Sequence, residues 1–122
     1  MEFEDRAKSV IKAIPRGKVA TYAQVAALAG NHLAARQVVR VLHASSGKDR
    51  LPWHRVINSR GGISLRHGRG FEDQRCCLLE EGVCVSRSGR IALEVFQWEP
   101  KGLRSKAAAK FLRSLYYKRD FS

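Results

Sequence analysis

At 122 residues the chain has the length of one domain, enough to bury a modest core with no metal or disulfide to complete it. Its 23 Lys and Arg against 11 Asp and Glu leave a net charge of +12, which suits the phosphates of DNA or RNA first and an anionic membrane surface second, while a solvated basic face fits the charge almost as well. Cys76, Cys77 and Cys84, odd in number with two adjacent, spell neither a disulfide framework nor a C-x-x-C metal pair and suit a reducing, intracellular setting; no window approaches the roughly 18 consecutive apolar residues of a membrane span, and the acidic start carries no export signal.

Phe3, Ala7, Val10, Ile11 and Ile14 fall at helical spacing until "PRG" stops the pattern, which predicts an amphipathic first helix. In "TYAQVAALAG", Thr21 with Gln24 three residues on reads as a capping box and Gly30 as a C-terminal stop, predicting a short second helix. The stretch "LAARQVVRVLHAS" sets Ala34, Val38, Val41 and Leu42 on one face and Arg36, Arg40 and His43 on another, a third helix that is basic outside. Two short helices about a Gly-containing turn, the second with arginines outward, form a helix-turn-helix pattern; a plain helical hairpin with solvated arginines has the same pattern.

After "LPWHR", the run "VINSRGGISL" reads as two extended pieces about a Gly-Gly turn, a wing or binding loop. "RHGRG" is a basic glycine-rich loop leading to a helix "FEDQRCCLLEEG" closed by Gly82. "VCVSRSGRIALEVF" alternates about a Ser-Gly turn as a hairpin does. Residues 1–100 therefore make the domain, and 101–122 are a basic extension of different composition. Seven Lys and Arg against one Asp give that extension a net +6, with Leu103, Ala107, Phe111 and Leu115 four apart. Such spacing suits a basic amphipathic helix, whether a phosphate-binding arm, a membrane-surface helix or a structural helix docked on the body.

Taken together, "IPRGKVATYAQVAALAG", "AARQVV" and "LPWHRVINSRGGIS" resemble the DNA-binding half of the O6-alkylguanine-DNA alkyltransferases. The tryptophan-bearing members of that group, the alkyltransferase-like proteins, are the nearest in kind. The resemblance runs from about residue 3 to 98, taking in "EEGV" and the last hairpin segment, and leaves out the extension. It implies an α+β fold, a mainly helical winged helix-turn-helix domain with short β-hairpins.

The family motif is Pro-Cys-His-Arg, whose cysteine accepts the alkyl group; here that position is Trp53. An indole has no ionisable thiol and its nitrogen lone pair is delocalised in the ring, so it cannot act as a thiolate does. The resemblance then implies a binder with no catalytic residue, no cofactor and no metal. It would extrude an O6-alkylguanine nucleotide from double-stranded DNA at a cost of a few kcal/mol. By resemblance Arg36 is the finger that fills the gap, Tyr22 helps rotate the target phosphate, and the small Ala34 and Ala35 let the helix approach, with Gln37 and Arg40 beside them. Trp53, Val56, Tyr22 and Arg66 would line the lesion pocket. His54 and Glu81 match residues that activate the cysteine in the enzymes and here read as remnants held by hydrogen bonds, with Arg55 structural.

Further implications are a monomer that flags lesions for nucleotide excision repair, away from any membrane, in a bacterial cytoplasm or a eukaryotic nucleus. Two other readings remain. One is an alkyltransferase that uses Cys76, Cys77 or Cys84. The other is a helix-turn-helix regulator that reads unmodified sequence.

Overall fold

A computed structural model describes residues 2–100; the expected basic helix of 101–122 lies outside the described residues. The order is α1 (Phe3–Ala13), β1 (Ala20–Thr21), α2 (Tyr22–Leu28), α3 (Ala35–Asp49), a 3₁₀ turn (Trp53–Arg55), β2 (Val56–Ile57), α4 (Phe71–Glu80) and α5 (Leu93–Phe96). The fold is mainly helical with a small two-stranded sheet, in which β1 and β2 run parallel, Ala20 opposite Val56 and Thr21 opposite Ile57.

Local chemistry explains several of the boundaries. Thr21 Oγ1 accepts from the Gln24 N–H (3.0 Å) and Gln24 Oε1 accepts from the Thr21 N–H (3.3 Å), closing the expected capping box of α2. Gly30 follows that helix at φ +103°, a left-handed conformation that a side chain resists. The third helix starts two residues later and runs four residues further than its periodicity suggested, through Gly47 to Asp49, ending on Arg50 at φ 52°. Mid-helix Gly47 is tolerated because flanking turns pack: Val38, Val41 and Ser45 face inward. Gly82 ends α4, with its N–H on the Leu79 carbonyl and the Val83 N–H on the Leu78 carbonyl.

The two expected hairpins close as turns instead. Asn58 Oδ1 accepts from the N–H groups of Arg60 and Gly62, a side chain standing in for a ladder. The chain beyond the Gly-Gly pair meets residues 89–91 through a single Gly62–Arg90 bridge. "ALEVF" forms the short helix α5 because the Val95, Phe96 and Gln97 N–H groups bond back to Ala92 and Leu93.

The little sheet divides the interior by strand alternation. Ala20 and Val56 join the side made by α1, α2 and α3, with Ile11, Ile14, Val25, Ala26 and Val38. Val19 and Ile57 face the other side, with Leu78, Val83, Ile91 and Leu93. Buried Gln24 spans to the far end of the domain: its Nε2 donates to the Trp98 carbonyl (2.7 Å) and its Oε1 accepts from Gln97 Nε2 (2.9 Å). The chain thus leaves β1 into α2 and enters the adjacent β2 from the Trp53 turn.

Candidate functional site

Tyr22 opens α2 immediately after β1, and Trp53 opens the turn that leads into β2. Both line a cavity of about 280 Å³, whose wall also includes Val56, Val39, Leu42, His43, Ser46, Leu65, Arg69 and Gln74. This is near the lower end for small-molecule sites and suits an occupant of the size of a base rather than a dinucleotide. Burial pushes the Tyr22 phenol up from its ordinary value, so it stays a protonated hydrogen-bond donor.

Three contacts hold the Trp53 turn. The Trp53 N–H bonds the Leu51 carbonyl (2.8 Å). Buried Gln74 on α4 donates from Nε2 to the carbonyls of His54 (3.1 Å) and Val56 (3.0 Å), clamping the turn from below. Beside it lies a carboxylate hub. Glu81, its side chain 5% exposed, accepts from His54 Nε2 (2.6 Å), from Arg55 Nη2 (2.8 Å) and Nε (3.0 Å), and from the Gly17 N–H (3.1 Å). Arg55 also donates to the Ile14 carbonyl (2.9 Å). Burial alone would raise the Glu81 pKa, but the hydrogen bonds from Arg55, His54 and Gly17 outweigh it and hold it at about 2.

An ionised Glu81 accepts from His54 Nε2 and so fixes the orientation of the ring. The ring so oriented meets no thiol: the neighbouring side chain is the Trp53 indole, edge-on with ring centroids 6.2 Å apart and planes at 87°.

The α3 surface divides the expected contact residues. Arg36, Gln37 and Arg40 are exposed and Ala35 is half-buried, but Ala34 is 6% exposed and belongs to the core. Ala34's small side chain thus serves the packing of α3 on its neighbours, because it sits at the N-cap where the chain turns inward. Arg66 is exposed and is absent from the cavity wall; Arg69 of the same loop takes that place. The loop geometry explains the exchange. The Arg66 carbonyl accepts from the N–H groups of Arg69 (2.9 Å) and Phe71 (3.3 Å) in a tight turn, while Glu72 holds His67 Nδ1 and the Gly68 N–H, each at 2.8 Å.

Val39, Leu42, His43 and Ser46 were not expected at the site, though their i, i+3, i+4, i+7 spacing put them on one stripe. The cysteines lie elsewhere: none lines the cavity, Cys76 and Cys84 are exposed, and Cys77 is raised from its ordinary value by burial and then by Glu80, so it is a poorer thiolate source. Among the described residues no helix is long and apolar enough to cross a membrane.

Against this geometry stand the relatives. Residues 2–83 match the family described as 6-O-methylguanine DNA methyltransferase, DNA binding domain. The chain is 49% identical over 96 residues to the DNA base-flipping protein of Escherichia coli, covering 79% of this chain and 74% of that one. It is 36% identical over 104 residues to Alkyltransferase-like protein 1 of Schizosaccharomyces pombe, covering 81% and 96%. A crystal structure of that yeast protein in complex with damaged DNA containing O6-carboxymethylguanine superposes with a TM-score of 0.71 at 37% identity, over 80% of this chain and 95% of the other.

Proposed function

The chain belongs to the 6-O-methylguanine DNA methyltransferase DNA-binding family, and on that footing we propose that it is a non-enzymatic reader of DNA damage. It binds duplex DNA, extrudes an O6-alkylguanine nucleotide into the Trp53 cavity, holds it without alkyl transfer and flags it for nucleotide excision repair. The observation that carries this reading is Trp53 on the cavity wall, beside His54 hydrogen-bonded to Glu81; by the resemblance of "PWHR" to the family motif, this tryptophan stands where the enzymes carry their cysteine.

The division of labour follows. Trp53 and Val56 supply apolar area for the alkyl group and the base face. Tyr22, kept protonated, donates to the rotated backbone or the base. Arg36 enters the stack from α3, where a planar cation both stacks and donates to the orphaned partner base. Glu81, His54 and Arg55 hold the Trp53 turn rather than run chemistry. Repair recruitment rests on the family likeness, and lesion-dependent incision by a reconstituted excision system with and without the protein tests it.

The binding reading is tested by titrating a duplex carrying O6-methylguanine against its unmodified twin, then weighing the intact protein. Selective binding with unchanged protein mass supports it. A stoichiometric gain of one methyl, on Cys76, Cys77, Cys84 or any other residue, overturns it, and so does equal affinity for the two duplexes.

A further inference from the structure

The cavity wall supplied by α3 changes character along the helix, from hydrocarbon at Val39 and Leu42 to polar groups at His43 and Ser46. The His43 ring makes no hydrogen bond or ion pair with another described residue. Ser46 Oγ is buried and has no hydrogen-bond partner among the described residues. Buried polar atoms are nearly always paired, and an orphan hydroxyl calls for an explanation. Asp49 Oδ2, the other such atom, lies 2.9 Å from Lys8 Nζ and is matched in charge, which leaves Ser46. A serine hydroxyl turns about χ1 between staggered positions and serves as donor or acceptor, so Ser46 Oγ, shielded as it stands, meets what enters the cavity by a change of rotamer. His43 precedes it by three residues, on the same stripe one turn earlier.

From this juxtaposition we infer that His43 and Ser46 form a polar subsite for the far end of the O6 substituent. They distinguish adducts that carry a hydrogen-bonding group beyond the first carbons from hydrocarbon chains of equal length. Trp53 and Val56, with Val39 and Leu42, receive the base and the inner carbons. The inference rests on the lesion-binding reading, and it adds a selectivity that Trp53 alone does not supply, since an apolar indole face favours the hydrocarbon chain over the hydroxylated one.

The test uses two duplexes of matched size, one with O6-(2-hydroxyethyl)guanine and one with O6-propylguanine, which differ by a terminal OH in place of CH3. Affinities are measured for the full chain, for His43→Ala, Ser46→Ala and their double variant, and for the conservative Ser46→Thr. The ratio of hydroxyethyl to propyl affinity falls about three- to tenfold from the native protein to the double variant, the worth of one to two hydrogen bonds. Ser46→Thr keeps the native ratio. A ratio that is the same in native and double variant overturns the subsite while leaving lesion binding intact. Equal affinity of the native protein for O6-methylguanine and unmodified duplexes overturns both.

Discussion

Replacing Glu81 by Gln keeps the side chain's volume and removes its charge. Arg55, 17% exposed, then stays inside without a counter-ion, and Gly17 and His54 lose a charged acceptor. Breaking a buried pair from one side costs about 3–5 kcal/mol, and the residual exposure of Arg55 argues for the lower end, about 3 kcal/mol. Linkage gives an independent figure. Glu81 falls from an ordinary 4.5 to about 2 in the folded protein, worth about 3 kcal/mol at 1.36 kcal/mol per pKa unit. Because the folded value is depressed, this stability is fully present above the unfolded pKa and is lost as pH falls through the folded one, so it disappears between about pH 5 and pH 2. Urea unfolding followed by tryptophan fluorescence at pH 7, and again at steps down to pH 2.5, measures both. The native protein is more stable than Glu81→Gln by about 3 kcal/mol at pH 7, and the gap narrows steadily toward pH 2.5. A loss under 1 kcal/mol at pH 7, or a gap independent of pH, refutes the hub.

Arg36→Ala abolishes most of the brightening of a fluorescent base analogue at the lesion position and loses more affinity than a single phosphate contact carries, whereas Arg40→Ala weakens binding with flipping intact; identical behaviour of the two contradicts a finger role. Deleting residues 101–122, if that extension is a phosphate-binding arm, weakens binding to modified and unmodified duplex alike and flattens the salt dependence of log K by about 0.9 unit per lost contact. An unchanged slope with a lower melting temperature assigns the extension to a docked structural helix instead. Thr21→Ala opens the capping box of α2 and lowers stability by about 1 kcal/mol in urea unfolding, and an unchanged unfolding midpoint shows that the cap is dispensable.

Local rules were enough for α1, α2 and α4 and for the missing thiol, but not for α5 or the end of α3. Thr21 with Gln24, Gly30, Gly82 and the spacing of Phe3 to Ile14 are short-range signals, readable because capping and amphipathic burial act within a few residues. Trp53 in "PWHR" is likewise a statement about one position, since no folding puts a thiolate on an indole. What the cavity contains was a tertiary matter. The first expected hairpin became a turn held by Asn58, while β2 paired with β1, 36 residues earlier in the pairing of Ala20 with Val56, and the second gave way to the helical hydrogen bonds of α5; a strand's pairing depends on its tertiary context. Ala34 was placed on the contact surface by a motif, yet the direction of the chain entering α3 turned it into the core. Arg69 reaches the cavity wall in place of Arg66 because Glu72 and the Arg66 carbonyl lock the loop between them. The Glu81 hub joins Gly17, His54 and Arg55, up to 64 residues away, and side chains so distant in sequence share a site only once two strands and the end of a helix have brought them within hydrogen-bond reach.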